Sequence, residues 1–187
     1  MDIELPIQNL DKRGTTRAFT ISSSPTEDFL MITTKKGVSK FKKHLASLKT
    51  GNTVESSHPA GTFILDESSP AVFIAGGIGI TPFRSMIKYA VDQKLSTPIT
   101  LIYSNSTDDF LFKRKLDEWR KVYAKLELVY TVTSSTGRLT ALYPKPYTLN
   151  PIYYLAGPPK MVDDFEKILL DLGVDETNIR YDRFDGY

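Results

Sequence analysis

The stretch Ala71-Val72-Phe73-Ile74-Ala75-Gly76-Gly77-Ile78-Gly79-Ile80-Thr81-Pro82-Phe83 decides the fold. Its first five residues are continuously apolar, as in a strand buried on both faces. Gly76, Gly77 and Gly79 then mark a tight turn, and Phe83, Met86, Ile87, Ala90 and Val91 recur at the spacing of one helix face. Pro82 falls at the opening of that helix, where its missing N–H costs nothing. A strand, a glycine turn and a helix in this order expose unpaired amides and the positive end of a helix dipole beside a backbone that a pyrophosphate can approach closely. Thr81 adds a hydroxyl there. The spacing departs from G-x-G-x-x-G because Pro82 occupies the third glycine's place, so the turn by itself is equally a plain strand-to-helix connection.

Downstream the alternation continues. A strand is expected at residues 99–103, a helix bearing Phe112, Leu116, Trp119 and Tyr123, and a strand at 126–133. Another strand at 152–156 precedes a helix bearing Met161, Phe165, Ile168, Leu169 and Leu172, stopped by Gly173, and residues 178–182 make a last strand. Five strands alternating with amphipathic helices predict an α/β doubly wound parallel five-stranded sheet over residues 70–187.

Upstream the period changes to that of short strands. Ile3, Leu5 and Ile7 alternate, followed by Phe19 and Ile21, residues 29–33 and residues 53–57. One helix interrupts them, with Ser39 as its N-cap, Phe41, Leu45 and Leu48 on one face and Gly51 as its stop. Residues 1–66 therefore read as a small, partial antiparallel β-barrel. Alternation puts Arg17 and Phe19 on one face of their strand and Ala18 and Thr20 on the other. A cation, an aromatic and a hydroxyl so close together suit an aromatic cofactor, and equally an ordinary half-buried strand.

Composition narrows the chemistry. The 187 residues carry 24 Lys and Arg against 22 Asp and Glu, a formal charge of +2 that does not support nucleic-acid binding. There is no cysteine, hence no disulfide framework, thiolate metal site or iron–sulfur cluster held by this chain. Redox chemistry would need an organic cofactor. No apolar run reaches the roughly 18 residues of a membrane span, and a cytoplasmic location is the default expectation.

Together these segments resemble the ferredoxin–NADP reductase superfamily over nearly the whole chain. Arg17-Ala18-Phe19-Thr20 resembles its R-x-Y-S flavin motif, with Phe19 in place of tyrosine. The resemblance implies that Arg17 pairs with the pyrophosphate of FAD, that Phe19 packs on the isoalloxazine ring, and that Thr20 is the catalytic hydroxyl near its reactive nitrogen. Gly37-Val38-Ser39 resembles the second phosphate motif, and Gly76-Gly77-Ile78-Gly79-Ile80-Thr81-Pro82 the nicotinamide-dinucleotide turn, proline included. Ala156-Gly157-Pro158-Pro159-Lys160-Met161 resembles the C-G-P-x-x-M segment that flanks the nicotinamide, with alanine for cysteine, so that Gly157, Pro158 and Met161 join the expected site. Asp182, Phe184 and Tyr187 resemble an acidic–aromatic ending, and Tyr187 is assigned as a ring over the flavin.

The implied activity is hydride transfer from NAD(P)H to FAD and electron transfer onward to ferredoxin, flavodoxin, a partner protein or a small-molecule acceptor. The other reading is a flavin-free dinucleotide-binding regulatory or interaction module. Ser104-Asn105-Ser106-Thr107 offers neither acid nor arginine to separate NAD from NADP, and Lys113 and Arg114 lie farther along as solvated helix charges. The lysines between Lys35 and Lys49 read first as a solvated face and second as a steering patch for an acidic carrier. About fifteen residues precede Arg17, so the barrel is expected to be incomplete. A fragment, a larger chain with an upstream domain, and an edge covered by a partner or second copy are the alternatives.

Overall fold

The computed structural model describes residues 1–6, 14–136 and 150–184. Strand β4 (Ala71–Gly76) is buried along all six residues and forms the centre of a five-stranded sheet. Around it lie β5 (Ile99–Asn105), β6 (Leu126–Val132), β7 (Ile152–Gly157) and β8 (Ile179–Arg183) in the spatial order β6-β5-β4-β7-β8, all parallel. The continuous apolar runs of β4 and β7 are thus explained by helices covering both faces.

Side-chain alternation along β4 divides the core. Phe73 points into one layer with Ile80, Phe83 and Ile87 of α2 (Ile80–Asp92) and Leu116 and Trp119 of α3 (Lys113–Val122). Val72 and Ile74 point into the other, against Val162, Phe165 and Leu169 of α5 (Pro159–Asp171). Gly173, at φ +81, ends α5 as expected, with the Val174 amide donating to the Leu169 carbonyl at 3.0 Å. Strand β6 stops one residue short of Thr133, where a short helix, α4 (Thr133–Thr136), begins.

The first half holds a three-stranded antiparallel sheet of β1 (Asp2–Glu4), β2 (Thr16–Ala18) and β3 (Glu55–Ser56), with β1 in the middle. Helix α1 (Lys40–Ser47) closes it, and Ile3, Leu5 and Phe41 form its small core. Ser39 caps α1 by accepting from the Lys42 amide. Two local expectations need correction. The helix ends at Leu48, whose extended backbone carries the chain away, and Gly51 lies in the turn beyond. Residues 29–33 make only the bridge Ile21↔Ile32 instead of a strand. There the Ser22 amide donates to the Met31 carbonyl at 2.8 Å, and the hydroxyls of Ser22 and Ser23 add bonds to the Met31 backbone at 3.1 and 2.9 Å, so that the pairing goes no further. Among the described residues no helix is long and apolar enough to cross a membrane. The expected strand residue Ile7 and the expected site residue Tyr187 lie outside the described residues.

Candidate active site

Strand order reverses between β4 and β7, since β4 leads to β5 on one side while β7 flanks it on the other. Ligands of open parallel sheets bind outside the carboxyl ends of the strands at such a reversal. Both glycine motifs end there. Gly79 packs so tightly that a Cβ on it would stand 2.0 Å from the Ala156 carbonyl oxygen and 2.7 Å from the Gly157 nitrogen. Gly157, at φ +151, in turn faces the Gly76 carbonyl, and a Cβ on Gly76 would meet the Met161 sulfur at 2.3 Å. The two segments therefore interlock backbone to backbone. Pro158 precedes α5, and the Phe184 amide donates to the Gly157 carbonyl at 2.9 Å, tying the end of the chain to this turn.

Gly77, at φ +54, adopts a left-handed conformation that favours glycine. A Cβ there would approach the Lys35 ammonium at 3.3 Å and the Asn105 side-chain oxygen at 3.8 Å. Lys35 belongs to the first half, so a cation crosses from one sheet to the turn of the other. Thr81 is buried and donates its hydroxyl to the Ile78 carbonyl at 3.1 Å, which closes the turn at the start of α2. Its oxygen keeps acceptor capacity.

A cleft of about 1360 Å³ lies beside this turn and between the halves. Arg17, Phe19, Thr20, Gly37, Val38 and Ser39 line it from one side, and Thr81, Pro82, Tyr181 and Asp182 from the other. Gly76, Gly77, Gly79, Gly157, Pro158 and Met161 are not in its wall; they form the crevice next to it, which Thr81 and Pro82 connect to the cleft. The expected sharing of a face by Arg17 and Phe19 is present, since both meet Phe41. The Phe19 and Phe41 rings stack at 6.0 Å, and the Arg17 guanidinium lies 5.2 Å from the Phe41 centroid. Arg17 also donates to the carbonyls of Gly14 and Thr16 at 2.8 and 2.7 Å, which fixes its head at the cleft.

Thr20 points across the cleft and donates to Asp182 Oδ2 at 3.4 Å. Burial pushes the Asp182 carboxyl above its ordinary value, partly opposed by that hydrogen bond. A carboxyl with a raised pKa and a hydroxyl thus face each other at the mouth between β8 and the strand exit. Lys113 and Arg114 behave as ordinary helix charges: Lys113 pairs with Asp117 at 2.7 Å, and Arg114 lies 3.9 Å from Glu118. Among the described residues no cluster of His, Asp or Glu could hold a metal.

Sequence reading missed Lys35 as a site residue, and it missed the Arg84–Glu27 ion pair between the halves. Neither has a periodic or motif signal, because each depends on which segments the fold brings together.

A small antiparallel sheet and a parallel sheet sharing a cleft at a strand-order reversal have the fold of the ferredoxin–NADP reductase superfamily, and the sequence places the chain in the class of NAD-binding oxidoreductases. The chain belongs to the oxidoreductase NAD-binding domain family, whose sequence model matches residues 73–167. It is 28% identical over 202 residues to flavohemoprotein A of Dictyostelium discoideum, covering 97% of this chain and 50% of that protein. The chain spans about half the length of the curated relatives it matches. The FAD/NAD-binding domain of nitric oxide dioxygenase from Vibrio cholerae superposes with a TM-score of 0.77 at 20% identity, over 98% of this chain and 82% of that one. Ferredoxin–NADP⁺ reductase from Plasmodium falciparum with 2'P-AMP superposes at 0.78 and 19% identity, over 98% and 81%. These superpositions establish the fold.

Proposed function

We propose that this chain binds FAD in the cleft and NAD(P)H at the glycine crevice, and that it works as a reductase delivering electrons to an acceptor. In this reading residues 1–66 form the flavin unit and residues 70–187 the nicotinamide unit. The observation that carries it is the common cleft, whose wall joins the Arg17-to-Thr20 segment and Ser39 to Thr81, Pro82 and Asp182. Its volume of about 1360 Å³ exceeds the roughly 300–1,000 Å³ of most small-ligand pockets and suits a dinucleotide.

The residues present fit such a ligand. Arg17 and the positive dipole end of α1 supply charge for phosphates, and Phe19 supplies an apolar ring face. When bound, FAD accepts a hydride from NAD(P)H and passes electrons on singly or in pairs. The chain's own work is alignment. Gly77 lets a pyrophosphate approach the backbone, Gly76 and Gly79 let the two turns pack closely beside it, Lys35 supplies a cation, and Met161 and Pro158 shape the crevice. Thr20 offers a hydroxyl whose direction Asp182 sets, and the half-buried Asp182 carboxyl holds its proton to higher pH than an exposed one would. The acceptor is a protein carrier of the ferredoxin or flavodoxin kind, a fused or separate partner protein, or a small molecule; the relatives named flavohemoprotein are consistent with a partner domain.

The test is an absorption spectrum of the purified chain with and without added FAD, followed anaerobically by NADH and by NADPH. A flavin spectrum that bleaches with either nucleotide is expected. A colourless protein that binds the dinucleotide without oxidising it would replace this reading with that of a regulatory or interaction module.

A further inference from the structure

We propose that Arg84 and Glu27 are positioning residues: their ion pair latches the turn that follows the flavin strand to the nicotinamide helix and so sets the alignment needed for hydride transfer. This rests on the flavin reading above.

Arg84, on α2, donates through both terminal nitrogens to both carboxylate oxygens of Glu27, Nη2 to Oε1 at 2.7 Å, across 57 residues of sequence. The two side chains are only 7% and 11% exposed. Nη1 also donates to the Ser22 carbonyl at 3.0 Å, and the adjacent Ser85 hydroxyl donates to the Ser23 carbonyl at 2.7 Å. Glu27 Oε2 accepts from the Ser24 amide at 2.8 Å, so the segment around it is folded onto the same carboxylate. On its far side the guanidinium lies 5.3 Å from the Trp119 centroid and 5.8 Å from that of Phe112. Phe112 is held there in a left-handed backbone conformation, φ +62, which a phenylalanine adopts at a cost.

Position in the chain gives the latch its consequence. Ser22 is two residues beyond Thr20, and Arg84 is two residues beyond Pro82. The two arms of the latch therefore end next to the two walls of the cleft, and any slack in the pair moves one wall against the other. Stability is a poor reason for such a pair, because a buried ion pair contributes little more than well-packed apolar residues would. This one also leaves Arg84 Nε buried with no hydrogen-bond partner among the described residues. A bidentate fork does fix angle and distance, which two apolar side chains do not. The other ion pair joining these regions, Arg180 with Asp66 at 3.2 Å, is about one-third exposed and fixes the connecting segment rather than the strand exit.

The absence of cysteine makes the test direct. Spin labels on Lys43→Cys in α1 and Lys121→Cys in α3, both exposed, report the distance between the halves by pulsed electron paramagnetic resonance on the whole chain, with no cofactor needed. A single narrow distance distribution is expected in the parent, and a broadened or shifted one in Glu27→Gln. Arg84→Lys keeps the charge but removes the fork, and it serves if Glu27→Gln fails to fold. In the FAD-loaded chain, either variant should slow anaerobic bleaching by NADH roughly 10- to 100-fold, while ADP-ribose affinity changes less than about twofold. Unchanged distances overturn the latch, and broadened distances with an unchanged bleaching rate overturn its positioning role. A parent that never bleaches refutes the flavin reading instead, and the distance distributions then judge the latch alone.

Discussion

In the parallel half, β4 and β7 are buried along every residue and their carboxyl-terminal turns touch backbone to backbone. In the antiparallel half, strands of two or three residues surround a core of Ile3, Leu5 and Phe41. The glycine crevice is thus shaped by its own sheet, whereas the segment that follows β2 takes much of its placement from contacts across the cleft: Thr20 with Asp182, and residues 22–27 with α2. A substitution in the first region should act on folding, and one in the second on alignment.

The largest expected effect is that of Gly79→Ala. Its Cβ would overlap the Ala156 carbonyl, which cannot yield without parting β4 from β7, so a loss of at least about 3 kcal/mol is expected in denaturant unfolding. Gly51→Ala, at φ +93 with nothing within 4 Å, should cost only about 1 kcal/mol. Equal losses at both positions would erase the contrast between a packed turn and a free one.

Thr20→Val should lower the bleaching rate by about tenfold and leave the dissociation constant for the nucleotide nearly unchanged, as for the loss of one hydrogen bond made at the reacting centre. Rate and affinity falling together would assign Thr20 to binding. Lys35→Met should do the reverse, weakening NADH binding about three- to tenfold in titrations at low salt, with the difference shrinking as salt rises. A Lys35→Met effect that ignores ionic strength would remove the ammonium from the crevice.

Two carboxylates sharpen the comparison through pH. The hydrogen bonds from Arg84 hold Glu27 below the usual carboxylate range against a smaller opposing effect of burial, with Lys88 adding its charge. Its contribution to stability is therefore present above the ordinary glutamate value and is lost as pH falls through the lowered one. Melting scans should show an acid-side drop that Glu27→Gln flattens. Asp182 is shifted the other way by burial, so its contribution is full below the ordinary aspartate value and is lost as pH rises through the raised one. Asp182→Asn should accordingly raise Tm at pH 8 but not in acid, by about 2–4 °C for each kcal/mol regained.

The parallel half was legible from the sequence because its central strands β4 and β7 are continuous apolar runs and its long helices repeat at the helical period; Phe73, Phe83, Leu101 and Leu155 all fall in the core as the pattern requires. There a strand end moved, at Val132. The antiparallel half was less legible, because Phe29 and Leu30 suggest a strand and yet stand about half exposed, while pairing is confined to Met31 and Ile32, where serine hydroxyls reinforce it. Within the site, Arg17, Phe19, Thr20 and the glycines were readable as local motifs. Lys35 and the Arg84–Glu27 pair were not, since their partners lie in the other half and no spacing announces them.

The most direct test of the account is a single-turnover anaerobic reaction of the FAD-loaded chain with NADH deuterated at the transferring position of its nicotinamide. If FAD in the cleft and NADH in the adjoining glycine crevice meet ring to ring, bleaching is fast and shows a primary isotope effect on its rate. A flavin that binds but stays oxidised, or that bleaches with no isotope effect under conditions where transfer limits the rate, would contradict that arrangement.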